Sequence, residues 1–119
     1  MLTISARLDV MNRWGRAMAD PTRSRILLAL LQAPGYPAQL AAALDLTRSN
    51  VSNHLACLRG CGLIVAEPEG RQTRYELADP HIGAALGALL EATSAVDENE
   101  PCRDPACAVT GCCDPAAGA

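Results

Sequence analysis

Six cysteines carry the most evident chemistry in this 119-residue chain, and their spacing splits them into two groups. Cys57 and Cys61 stand four positions apart, while Cys102, Cys107, Cys112 and Cys113 crowd the C-terminal end. On a helix, a four-residue step offsets two side chains by about 40° and one turn, so both thiols face one spot. Such a pair can chelate one ion. A disulfide is harder, because the helix holds the two Cα atoms about 6 Å apart with near-parallel Cβ vectors. Thiolates select soft or borderline ions such as Cd(II), Pb(II), Cu(I) or Zn(II) over Mg(II) or Ca(II). Two thiolates from one helix leave such an ion undercoordinated, and the C-terminal cysteines hold further ligands. A tail that joins the body only when the ion is present couples binding to conformation, as a switch requires. The plainer alternative for Cys57 and Cys61 is a pair of small buried hydrophobes near a helix end. For Cys107, Cys112 and Cys113 three roles stay open: extra ligands, metal capture, or thiols with no defined site.

The bulk composition sets the setting for that chemistry. A chain of this length is one domain with a modest core, which dimerisation would extend by hiding more apolar surface. Half of the residues are hydrophobic, yet only 3% are aromatic and Phe is absent, which implies a Leu, Ile, Val and Ala core that favours helix. The net charge of −3 is unevenly spread. Residues 1–90 hold nine Arg against seven acids, and residues 91–119 hold one Arg against six acids. Every basic residue is Arg, the better fork for phosphate and guanine. Residues 1–20 scatter acids and arginines through their apolar positions, unlike a secretory signal, and no apolar run nears the roughly 18–20 residues that cross a bilayer. The expectation is a soluble, cytoplasmic protein with no membrane partner. In that reducing compartment the cysteines serve as metal ligands or redox sensors rather than structural disulfides.

The elements that must position the thiols follow from periodicity and punctuation. Leu8, Met11, Trp14 and Met18 repeat at helical spacing across residues 4–19. Asp20-Pro21 then reads as an N-cap and first-turn proline, opening a mostly buried helix that Pro34-Gly35 ends. A short helix over 37–44 closes at Asp45-Leu46, and Thr47 caps a fourth helix over 48–61 with Gly62 as its stop. Residues 63–66 are β-prone, 68–70 read as a turn, and 71–77 as a second extended segment. Asp79-Pro80 starts a last helix, through about residue 96, that is apolar on several sides through Ile82, Leu86, Leu89 and Leu90. From Asp97 onward Pro, Gly and charge predict a flexible tail. The domain division is 1–97 for the body and 98–119 for the Cys-rich tail.

Helix, helix, helix–turn–helix, hairpin, helix is the order of a winged-helix DNA binder. In the fourth helix Val51, Leu55 and Leu58 form the inward stripe, leaving Arg48, Ser49, Asn50, Ser52 and Asn53 outside. These donor-rich side chains suit a helix N-terminus inserted in a major groove, and no acid between Leu46 and Val65 repels phosphate. His54 on the flank is expected to make a polar contact in the same DNA-binding set rather than to ligate metal. Arg71 and Arg74 on the hairpin can reach a flanking phosphate, although Glu67 and Glu69 dilute that potential.

Four segments taken together resemble the ArsR/SmtB family of metal-sensing repressors: ADPTRSRIL at 19–27, LTRSNVSNHL at 46–55, LRGCGL at 58–63 and EGRQTRY at 69–75. The likeness spans about residues 8–96 and is strongest to the cadmium/lead-sensing members. It implies a homodimer, joined through its first and last helices, that represses a metal-efflux operon. Carried over residue by residue, it also implies a ligand set of Cys57 and Cys61 from one subunit with Cys102 from the other. The chain departs from many relatives in having no cysteine over 39–45. Asp79 and His81 match the first half of a last-helix zinc site, but no His follows. The four tail cysteines exceed the single expected ligand and leave Zn(II) and As(III) open beside Cd(II) and Pb(II).

The sequence thus predicts a mainly α, homodimeric winged helix–turn–helix with a small β-hairpin. It is expected to bind double-stranded operator DNA when metal-free and to dissociate on Cd(II) or Pb(II) binding. A thiol-redox repressor of the same fold and a cytosolic metal buffer are the alternatives. No paired His–carboxylate site, Gly-rich phosphate loop or Cys-x-x-Cys pair points to an enzyme or to a small organic substrate.

Overall fold

The computed structural model describes residues 3–95 and 106–108. Its elements run α1 (Ile4–Met18), α2 (Pro21–Gln32), α3 (Pro37–Leu44), α4 (Arg48–Gly60), β1 (Ile64–Glu69), β2 (Gln72–Leu77) and α5 (Pro80–Ala92), followed by a 3₁₀ turn, Thr93–Ala95. Four helices start on a side-chain oxygen. The acceptors are Thr3 Oγ1 for Ala6 N–H at 3.1 Å, Asp20 Oδ2 for Arg23 N–H at 2.9 Å, Thr47 Oγ1 for Asn50 N–H at 3.1 Å and Asp79 Oδ1 for His81 N–H at 2.7 Å. Each satisfies a backbone donor that a helix start leaves unpaired, worth about 0.5–2 kcal/mol.

Both helices of the helix–turn–helix end in the same way. Asp45 takes a left-handed conformation (φ 56°), and Leu46 N–H returns to the Ala41 carbonyl at 2.9 Å. Gly62 (φ 81°) repeats the device after α4, with Leu63 N–H on Leu58 O at 3.1 Å and Gly62 N–H on Arg59 O at 3.0 Å. These Schellman closures satisfy carbonyls that a helix end would orphan. The second one stops α4 at Gly60 and makes Cys61 its C-cap, one residue earlier than the spacing predicts.

The hairpin corrects the expected turn. Strand β1 runs on through Pro68 to Glu69, so the connection is Gly70-Arg71, with Gly70 at φ 63°. Pro68 pairs in register with Thr73, which a two-stranded ribbon tolerates because β1 keeps an outer edge where no N–H is needed. Gly35 adds an isolated bridge to Tyr75, through N–H···O bonds of 2.9 and 2.8 Å. A side chain there would crowd Leu30 and Leu40 at 3.2 Å.

The core gathers Ile26, Leu27, Val51, Leu55, Leu58, Leu63 and Ile64, all essentially without exposed surface. On α1 only Trp14 and Met18 of the apolar series pack against it, with Ala17 buried behind them. Ile4, Leu8 and Met11 stay exposed, as do Leu89 and Leu90 on α5. Between α1 and α5 lies an apolar cavity of about 570 Å³ lined by Trp14, Met18, Ile82, Leu86 and Leu89 among others. Among the described residues, no helix is long and apolar enough to cross a membrane. Leu55 sits at the centre of the packing, so Leu55→Ala is expected to cost about 2–5 kcal/mol, read as a lower denaturant midpoint with an unchanged slope.

Candidate DNA-facing and thiol site

Helix α4 presents three faces. Val51, Leu55 and Leu58 are buried, which turns Arg48, Ser49, Asn50, Ser52 and Asn53 outward and exposed on the N-terminal half. This half also carries the positive end of the helix dipole, which favours an approaching phosphate. His54 is half-buried and faces the body, its Nδ1 3.9 Å from Asp20 Oδ2 at the cap of α2.

On the wing, Arg71 is exposed beside the turn glycine. Arg74 is committed within the hairpin: its Nη2 lies 3.8 Å from Glu67 and its Nη1 3.5 Å from Glu69, while its buried Nε has no partner. Glu69 also accepts the Tyr36 hydroxyl hydrogen at 3.0 Å, a bond that raises the Tyr36 pKa and ties the wing to the start of α3. Two more arginines serve as helix clamps. Arg23 donates to Ala17 O at 2.8 Å and Arg16 O at 3.2 Å at the end of α1, and Arg25 donates to Leu44 O at 2.9 Å at the end of α3.

The thiols occupy the other end of α4. Cys57 is exposed and Cys61 is half-buried. Burial pushes the Cys61 thiol up, and the neighbouring Cys57 raises it further by charge and by hydrogen bonding, against a lowering by Arg13 and Arg23. The Cys61 carbonyl accepts the Trp14 indole N–H at 2.8 Å. Two sulfurs one turn apart fit a thiophilic ion better than a hard one. Among the described residues no cluster of three or more His, Cys, Asp or Glu assembles. Cys102, Cys112 and Cys113, and most of the predicted tail, lie outside the described residues; Cys107 is half-buried. Asp79 and His81 pair with each other at 2.8 Å on the surface, which holds the Asp79 carboxyl below its ordinary value through the His81 backbone and side-chain bonds.

The structure therefore brings Cys57 and Cys61 together at one end of the helix whose other end displays the donor-rich residues. It assigns His54 and Arg74 internal partners. Trp14, read only as part of the apolar face of α1, and Tyr36, Arg13 and Arg23 shape the site without having been read as site residues, because their contacts arise between elements. Because Cys57 is exposed, whereas Cys61 is half-buried and its pKa is raised by that burial, Cys57 is expected to alkylate several-fold faster than Cys61 near pH 8. Peptide mass mapping reads the ratio, which narrows as pH climbs past the raised Cys61 pKa.

Comparison with known proteins agrees with this geometry. Residues 20–65 match the family described as bacterial regulatory protein, arsR family. The chain is 63% identical over 102 residues to the HTH-type transcriptional regulator CmtR of Mycobacterium tuberculosis, covering 86% of each. It is 35% identical over 74 residues to a probable mercury resistance operon repressor of Streptomyces lividans, covering 62% of this chain and 59% of that one. The NMR structure of the cadmium metal-sensor CmtR from M. tuberculosis aligns with a TM-score of 0.63 at 64% identity, over 79% of this chain and 98% of that one. With so much of its length shared, the chain belongs to the ArsR family of bacterial regulatory proteins, and its winged helix–turn–helix is the machinery of a transcriptional regulator rather than of an enzyme.

Proposed function

We propose that the protein is a metal-responsive repressor that holds operator DNA as a metal-free homodimer and releases it on binding Cd(II) or Pb(II). The carrying observation is that Cys57 and Cys61 share α4 with Arg48, Ser49, Asn50, Ser52 and Asn53. Any change in the seat of the helix end is felt by the half that reads base edges. Similarity to a protein described as a cadmium metal-sensor supports the choice of ion. The division into a body, 1–97, and a ligand-bearing tail, 98–119, belongs to the same proposal. The third ligand is Cys102 of the partner subunit, with Cys107, Cys112 and Cys113 as additional thiols. Zn(II) and As(III) are weaker candidates for the same sulfur set.

The exposed apolar residues Ile4, Leu8, Met11, Leu89 and Leu90 support the dimer, since a second copy laid against α1 and α5 would hide them. A bound thiophilic ion supplies a cross-link between α4 and the tail. The rest is done by the chain. The buried stripe holds α4 on the body, the Schellman closure leaves Cys61 at its outermost turn, and the cysteines give up their protons to become ligands. Because Cys61 keeps its proton more firmly than an ordinary thiol, apparent metal affinity is expected to rise with pH and to level off above the raised pKa.

The deciding experiment titrates Cd(II) into the DNA-bound protein while thiolate-to-metal absorbance and anisotropy are followed together. The parent is expected to lose operator affinity by about 5- to 150-fold. Cys57→Ser is expected to abolish that loss, and Cys102→Ser to weaken metal binding. Metal-triggered dissociation that survives Cys57→Ser refutes the proposal. On the DNA side, Arg71→Ala is expected to weaken binding to all sequences alike and to reduce the salt slope by about 1, as befits one phosphate contact.

A further inference from the structure

Trp14, the single tryptophan of the sequence, reaches from α1 to the end of α4. The carbonyl it binds, at 2.8 Å, belongs to the C-cap residue Cys61 (φ −80°, ψ −6°), next to the left-handed Gly62. Carbonyls at a helix end have no intrahelical donor. Those of Cys57, Leu58 and Arg59 are taken up by Cys61, Leu63 and Gly62 N–H groups at 3.0–3.1 Å. The Cys61 carbonyl instead takes a side chain from another helix, in a half-buried setting where the bond carries weight. The same indole lines the apolar cavity beside Ile82, Leu86 and Leu89 of α5.

We infer that Trp14 is a positioning residue for the thiol pair. By clamping the Cys61–Gly62 peptide it fixes the Cα–Cβ direction of Cys61 and keeps its sulfur in reach of Cys57. The pair is thereby ordered before a ligand arrives, which lowers the cost of assembling it. Because the ring also forms part of the cavity wall, a shift of the Cys61 backbone reaches the α1–α5 groove through one side chain. This deepens the proposed metal site and rests on it.

The test uses the full chain with Cd(II) as the probe, set against a competing chelator. Thiolate-to-Cd(II) absorbance and tryptophan emission are read in the same titration. Emission of the parent is expected to change in step with absorbance, and Cys61→Ser to lose both responses. Trp14→Phe, which keeps a ring but removes the donor, is expected to weaken Cd(II) affinity about three- to ten-fold, the range of one net hydrogen bond. Parent-like affinity in Trp14→Phe overturns the inference, even if its denaturation midpoint falls, because a purely structural tie would do that. Flat emission in the parent while absorbance climbs overturns it as well, and this arm holds if the variant fails to fold. Absorbance that persists in a Cys57→Ser/Cys61→Ser double variant overturns the metal site itself, a separate failure.

Discussion

Val51, Leu55 and Leu58 are the stripe by which α4 is held, and each is without exposed surface against Ile26, Leu27, Leu63 and Ile64. Burial of such side chains contributes about 1.5–3 kcal/mol apiece. That anchorage frees the rest of the helix circumference from any duty to the core. Donor-rich residues can then occupy one end and thiols the other, with neither set compromising the fold. A helix that also had to bury Cys57 would lack an exposed thiol at that end, and one with a weaker stripe would not hold its outer face in a fixed attitude.

Charge is handled with similar economy. A protein of net charge −3 approaches a polyanion by keeping acids off α4 altogether. Three of its ten arginines do internal work instead, since Arg23 and Arg25 close helix ends and Arg74 is neutralised by Glu67 and Glu69. The exposed cationic groups on α4 and at the hairpin turn are Arg48, Arg59 and Arg71, beside the positive end of the α4 dipole.

What the sequence made legible was local. Caps at Asp20, Thr47 and Asp79, the i, i+4, i+7 stripe on α4 and the four-residue cysteine spacing all depend on neighbours within one or two turns, and all stand in the structure. The hairpin turn slipped because proline normally punctuates a strand, whereas an isolated ribbon has open edges that admit Pro68. Gly35 looked like a mere helix stop; its bridge to Tyr75 needed a strand forty residues away. Trp14 could be assigned a helical face but not a partner, because its bond to Cys61 spans 47 residues. Glu67 and Glu69 were legible as a dilution of the wing's charge, but that both would pair with Arg74 itself depended on the strand register.

The wing is fastened twice to the segment that opens α3, through the Gly35–Tyr75 bridge and the Tyr36–Glu69 bond. The far end of α4 answers to a different neighbour, the indole on α1. Hairpin and recognition helix thus have different outer ties but share one core, because Val51, Leu55 and Leu58 of α4 are buried with Leu63 and Ile64 at the root of β1. The body therefore sets the spacing between hairpin and helix, and a duplex that met both would have to match it.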